Sequence, residues 1–460
     1  MSFSRRKFIS LAGVTAASVT VVSPLEAFYA RVARGQVARG IGFGALEPKL
    51  AVNADELPII QIDGRPVDLS KTEILQLPPG FNYTAISITG DSMNDGGKVP
   101  AAHDGMAAFP GPNRTTILVR NHELNPTSNG VAASKLYDQI GGGTTTLVVG
   151  SNRQVIKQFA SLGGTIRNCA GGPTPWGSWI SCEETFNTGS PGVKRHGYNF
   201  EVPATYDIAV ADPIPLVAMG RFSHEAVAVD PTTGWVYETE DRGDSCFYRF
   251  RPNQYGNLQS GGVLEALVIN GVPADTRKNY LGYKNVPLSV SWVQIDNPDP
   301  VRENKTGDVV AGDVAVRYQA QAKGAAIFAR GEGAWYGNGL VYFNCTNGGD
   351  AGFGQVFAYN PKDNTITLVV ESPGQSELDF PDNITVSPFG DLFLCEDGDG
   401  DNYVVGVNQQ GELYQFAKNN INDSEYAGAC FSPDGNTLFV NIQTPGITLA
   451  IWGPWTRKRS

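Results

Sequence analysis

Six times along this chain of 460 residues an apolar run ends in a Pro or Gly turn, and a second apolar run leads back to polar side chains that bind metals. The copies read HDGMAAFPGPNRTTILVRNHE, NCAGGPTPWGSWISCEE, HEAVAVDPTTGWVYETED, GEGAWYGNGLVYFNCTN, PDNITVSPFGDLFLCEDG and AGACFSPDGNTLFVNIQ. Six residues before the turn residues Pro110, Pro175, Pro231, Asn338, Pro388 and Pro433 stand Asp104, Cys169, Glu225, Glu332, Asp382 and Ala427. All but Ala427 are potential metal ligands. A hairpin returns its two outer ends to one side. The acids closing the second runs (Glu123, Glu183 with Glu184, Glu240 with Asp241, Glu396 with Asp397) therefore face the same end. The pattern predicts a ring of oxygen ligands and one sulfur on one face of a repeat protein.

Carboxylates are hard ligands suited to Ca²⁺, Mg²⁺, Mn²⁺ or Fe³⁺, whereas zinc sites draw on His and Cys. The chain has only four histidines. His103 and His224 directly precede ring positions, where strand alternation turns them to the other face, and His196 falls in a basic, Gly-flanked loop expected to be solvated. His122, beside Glu123, ends a run. A cluster of acids holding cations suits a phosphate ester better than a neutral ligand, because cations offset charge on the phosphoryl oxygens. Arg330, two residues before Glu332, offers a planar fork for such oxygens on an extended strand. The run Glu396 to Asn402 resembles the start of a calcium loop but has Asn408 where the loop's closing Glu belongs, so it is not an EF-hand.

The elements that position these residues are strands. The chain carries 54 Gly and 29 Pro, and long helical stretches are scarce. Six units of short alternating strands predict an all-β, six-bladed β-propeller with the metal cluster at one end of its axis, and a β-sandwich is the structural alternative. Residues 31–75 read as an irregular lead-in and 76–460 as one propeller domain. The stretch from about 251 to 322 holds the outer strands of the third blade and an insertion over one face. The net charge of −11 leaves no basic stripe for nucleic acid and is consistent with a cation cluster.

Residues 1–30 read as a signal region. Ser4-Arg5-Arg6-Lys7-Phe8-Ile9 is a twin-arginine signature followed by a weakly apolar run from Leu11 to Val22, too short for a stable membrane span. The twin-arginine translocase is the implied partner. The implied location is periplasmic or extracellular, with a membrane tether if the region is retained. Cys182, Cys246, Cys345, Cys395 and Cys430 read as small buried residues and not as disulfides. Cys169 stands where other copies carry Asp or Glu, which favours a thiolate ligand.

The strings LPPGFNYTAISITG, MNDGG, HDGMAAF, NHE, NCAGGPTPWGSWISCEET, GRFSHEAVAVDP, YETEDRGDSCFYRF, ARGEGAWY and PDNITVSP together resemble the PhoX family of alkaline phosphatases, from about Leu77 to about Gln443. The resemblance implies a six-bladed propeller exported by the twin-arginine route that hydrolyses phosphomonoesters at an iron and calcium cluster. Carried over by motif, Cys169 would bind Fe³⁺ with Glu225 and Asp382. Glu184 and Glu332 would hold Ca²⁺, and Arg330 would bind the substrate phosphate. Glu123 and Glu240 rest on the hairpin argument. Longer members use a late lysine on the phosphate, and Lys418 lies in the corresponding third of this chain but in no matching motif.

The expected function is an alkaline phosphatase acting on small phosphate monoesters. Two alternatives use similar acids: a calcium-dependent propeller hydrolase of the lactonase or phytase-like kind, and a non-catalytic calcium-binding propeller.

Overall fold

The computed structural model describes residues 41–126, 130–187, 189, 193–303 and 313–455. The signal region lies outside the described residues, as do the start of the lead-in and the charged stretch at 304–312. The regular structure of the described residues is almost entirely antiparallel strand, with one six-residue α-helix at Val316–Gln321.

Each repeated hairpin supplies an inner strand: His103–Pro110, Asn168–Pro173, His224–Val229, Gly331–Gly337, Pro381–Val386 and Tyr426–Phe431. The six pack side by side in cyclic order, the sixth against the first, which is a β-propeller arrangement. Units one and six are four-stranded sheets and unit two has three strands. The fourth strand of unit six is Asn82–Ile88, which pairs with Ile447–Trp452 and so ties the two ends of the domain into one sheet. A closed ring leaves few free edges to recruit other chains.

The expected lead-in is less irregular than its composition suggests. Leu75–Leu77 pairs with Leu413–Asn419 at the outer edge of unit five, and Glu47–Lys49 pairs with Leu75–Leu77 in turn. These strands are too short to show periodicity. The segment after residue 251 supplies an outer strand of unit three, Gly262–Ile269, and one more. Leu288–Gln294 pairs with both Gly262–Ile269 and Thr365–Glu371, joining units three and four into one nine-stranded sheet.

Apolar clusters fill the spaces between sheets. Between units five and six, Phe81, Phe393 and Phe416 are fully buried; Phe81 and Phe393 pack edge-on against Trp455, and Phe416 packs against it at a tilt. Burying each such ring contributes about 2 kcal/mol. Near the axis, between Trp179 and Trp335, a cavity of only about 10 Å³ remains, at the lower limit for one water. All six cysteines are free and buried.

Candidate metal centre

Every inner strand breaks its register beside the ring position, one residue later in the sixth unit than in the other five. The shifts fall between His103 and Met106, Asn168 and Gly171, His224 and Val227, Gly331 and Ala334, Pro381 and Ile384, and Ala427 and Cys430. In the first five units the skipped residues include the ring position itself: Asp104, Cys169, Glu225, Glu332 and Asp382. A bulge leaves a residue unpaired and re-aims its side chain. The glycines that follow allow the strands to converge. A Cβ on Gly105 would lie 2.5 Å from the Ala170 Cα, and one on Gly333 would lie 2.6 Å from the Asp382 carbonyl oxygen. Side chains on the second strands fasten neighbouring units there. Asn121 donates to the Cys169 and Ala170 carbonyls, Asn344 to Asp382 O (2.9 Å), and Asn441 to Asp104 O (2.6 Å).

Three groups result, and in each the ligand atoms lie within 4.8 Å of one another: Cys169, Glu184 and Glu225; Glu225, Glu332 and Asp382; Asp104, Glu123 and Glu425. Glu225 is shared by the first two. Six of the sequence-predicted ligands (Cys169, Glu184, Glu225, Glu332, Asp382 and Glu123) are thus brought together.

Glu240 is not among them, which corrects the expectation. It is fully buried, accepting from Tyr248 Oη at 2.6 Å and Arg317 Nη1 at 2.9 Å. The reason is register. Glu240 ends its strand opposite His224 and is turned into the blade, whereas Asp241, one step beyond the strand, turns to the mouth and meets Arg330. Glu183 and Glu396 follow the same rule. Glu183 accepts from His196 and the Gly197 amide, and Glu396 accepts from the Asp379 and Tyr403 amides. Their successors, Glu184 and Asp397, face the centre, where Asp397 is hydrogen-bonded to Glu425. Of the paired acids closing the second runs, it is the second member, Asp241 or Asp397, that reaches the mouth. Glu425 stands two residues before Ala427, the offset that relates Arg330 to Glu332.

Arg330 is in the mouth, but by a different route from the extended strand expected. Its φ is 48°, left-handed, and its Nε and Nη2 bind Asp241 at 2.7 and 3.1 Å while Nη2 lies 2.9 Å from Glu332 Oε1. Lys418 is on an outer strand, 2.6 Å from Asp401. His196 is buried, contrary to its expected exposure. Its Nδ1 is 2.7 Å from Glu183 Oε1 and its Nε2 is 3.4 Å from Asp138, because a buried carboxylate at the blade end needs a donor. His103, His122 and His224 are buried inside the blades.

The acids crowd one another. Burial first, and then the charges of Glu123 and Asp382, pushes Asp104 well above the carboxylate range. Glu225 and Glu332 are raised in the same way. Asp382 is pushed up to about 7 by burial and Asp397, and Glu184 to about 8 by burial, Asp241 and Glu123 against the pull of Arg167. The Cys169 thiol is raised by burial, then by Glu225 and Glu184. Burial opposes ionisation at Asp241 too, but the Arg330 fork overcomes it and holds that carboxyl below its usual range.

Two guanidiniums, those of Arg167 and Arg330, cannot neutralise so many carboxylates. Glu332 Oε1 is moreover buried without an aligned hydrogen-bond donor. Divalent or trivalent cations remove both problems, since they favour the ionised form of every donor present. The donor set is oxygen throughout, with one sulfur in one group. The residues therefore fit bound metal ions.

The family model described as alkaline phosphatase PhoX matches residues 62–446. Among solved structures, Pseudomonas fluorescens PhoX in complex with vanadate, a transition state analogue, shares the fold at a TM-score of 0.63. It is 18% identical over 86% of this chain and 97% of that one. The gluconolactonase XC5397 of Xanthomonas campestris is more distant, at a TM-score of 0.41 and 12% identity over 81% of this chain and 90% of that one. No curated protein matches the chain by sequence.

Proposed function

The chain belongs to the PhoX family of alkaline phosphatases, phosphomonoester hydrolases, and from that membership we propose that its three ligand groups hold a mixed iron and calcium centre. The observation that carries this reading is the sulfur. Cys169 sits within 4.8 Å of two carboxylates in one group, while the other two groups offer oxygen alone. Thiolate is a soft ligand that suits iron, and clusters of carboxylate oxygens suit calcium. Cys169, Glu184 and Glu225 would then hold Fe³⁺ jointly with Asp382, which approaches through the shared Glu225. Glu332 and the group of Asp104, Glu123 and Glu425 supply oxygens for Ca²⁺. This assigns Glu184, expected on the calcium side, to the boundary between the two kinds of ion.

When bound, these ions supply Lewis acidity to the phosphoryl oxygens and offset the charge that develops on them. The chain's own residues arrange everything else. Arg330 is held by Asp241 and Glu332 with a third of its side chain exposed, so its fork is oriented before a phosphate arrives. The bulged strands fix the carboxylates by backbone geometry. The segment near Pro298 and Pro300 packs over the mouth-side loops of units two and three through Arg221.

Residues 4–9 support export by the twin-arginine route to the periplasm or beyond, a path that carries folded, metal-loaded proteins. Among the described residues no helix is long and apolar enough to cross a membrane.

Hydrolysis of p-nitrophenyl phosphate by metal-replete protein tests the function. Turnover that is lost on metal removal supports the reading, and no turnover with full iron and calcium contents defeats it. A calcium-only hydrolase would turn over equally well without iron and with Cys169 replaced.

A further inference from the structure

Units two and four are the only ones that place an arginine two residues before the ring position. The six residues there are Ala102, Arg167, Ser223, Arg330, Phe380 and Glu425. Arg167 and Arg330 share a backbone as well as an offset. Their φ angles are 46° and 48°, in the left-handed region that non-glycine residues avoid, and Ala102 and Phe380 at the same offset share it (50° and 47°), so the repeat itself sets this conformation. Each is pinned twice in the same way. The Arg167 amide donates to Leu124 O and its carbonyl accepts from the Glu184 amide, while the Arg330 amide donates to Arg242 O and its carbonyl accepts from the Thr346 amide.

The side chains mirror one another too. Arg167 Nη2 lies 2.6 Å from Glu123 Oε1 and also meets Glu184, and its Nε donates to the Glu184 carbonyl at 3.1 Å. Arg330 uses Nε and Nη2 on Asp241 and Glu332. In neither residue does Nη1 bond to any described residue, and both side chains are 37% exposed. The Glu184 and Asp241 carboxyls are hydrogen-bonded to each other. The order across the mouth is therefore Arg167, Glu184, Asp241, Arg330, with two forks at the ends and the acids between them.

We propose that Arg167 is a second arginine contact to the substrate's phosphate, working across the mouth from Arg330; this rests on the phosphomonoesterase reading above. A phosphate monoester carries up to three non-bridging oxygens, more than one fork can satisfy. Each guanidinium is oriented through Nε and Nη2, Arg330 by carboxylates alone and Arg167 by two carboxylates and the Glu184 carbonyl, and keeps Nη1 for a ligand. A fork pre-set by its neighbours loses little freedom on binding. The arrangement makes this chain's phosphate site a two-arginine site that needs no lysine, consistent with Lys418 lying on an outer strand bonded to Asp401.

The test uses the full chain, metal-loaded, as wild type, Arg167→Gln and Arg167→Lys. It reads KM for p-nitrophenyl phosphate, the inhibition constant of inorganic phosphate, and iron and calcium contents. Arg167→Gln raises both constants about tenfold or more with metal contents unchanged, the loss expected for a charge-assisted hydrogen bond. Arg167→Lys keeps the charge without the fork and falls between the two. Unchanged constants in Arg167→Gln overturn the proposal, and so does a loss of metal that tracks the loss of activity, which would make Arg167 a brace for Glu123 and Glu184. If Arg167→Gln does not fold, Arg167→Lys decides on the same readings. A wild type inactive on phosphomonoesters would instead strike the reading on which the proposal rests.

Discussion

The thiol of Cys169 and the carboxylate of Glu225 lie within 4.8 Å of each other on neighbouring inner strands, each delivered by a bulge at the same repeat position. Their proximity is a consequence of the ring and not of local sequence, since they stand 56 positions apart in the chain.

Cys169→Ala removes the one soft ligand from its group. Iron retention and phosphatase activity should both be lost, while far-ultraviolet circular dichroism still reports a β-rich fold. Elemental analysis of the purified variant checks it, and normal iron with normal turnover would remove the thiolate assignment.

Glu225 is the residue shared by two groups, so Glu225→Gln should deplete both metals, whereas Glu123→Gln should deplete calcium alone. Activity should fall at least about 100-fold in Glu225→Gln. Equal metal loss in the two variants would contradict the geometry.

Glu240 gives the converse. Replacing it by Gln takes the carboxylate from Arg317 Nη1 while Asp244 still pairs with Nε, which costs about 2 kcal/mol of stability, the loss of one buried charge-assisted hydrogen bond. Metal content and kcat should stay at wild-type values. Urea titration alongside elemental analysis separates this buried pair from the mouth acids.

Metal-free protein should lose stability as pH rises. Glu184 at about 8 and Asp382 at about 7 hold protons in the folded chain that the unfolded chain releases near pH 4. The folded state therefore binds more protons across pH 4 to 8, and unfolding free energy falls through that window. Bound cations cancel the effect by stabilising the ionised carboxylates. Thermal melts at pH 5 and pH 8, with and without Ca²⁺ and Fe³⁺, read it directly. A metal-free protein more stable at pH 8 than at pH 5 would refute the crowding argument.

Much of this site was legible because the hairpin repeat is regular. Counting back from the turn residues finds Asp104, Cys169, Glu225, Glu332 and Asp382, and the bulges explain why one residue in each strand leaves the sheet. The choice between adjacent acids was harder. Glu240 and Asp241 differ only in whether they stand on the last paired residue or just past it, and no composition rule sees that boundary. His196 looked solvated because its loop is basic and Gly-flanked, yet Glu183 draws it inward. Glu425 and Arg167 carry no motif of their own. They become visible once the repeats are aligned at the position two residues before the ring. The strand Leu75–Leu77 was hidden because its partner, Leu413–Asn419, lies some 340 residues away in the chain.

Anomalous diffraction at the iron edge, from crystals of protein exported and purified with its metals, tests the central claim most directly. The account predicts a peak in bonding contact with Cys169 Sγ and a carboxylate oxygen of Glu225. A map with no peak there, or with iron bound elsewhere on the chain, would contradict it.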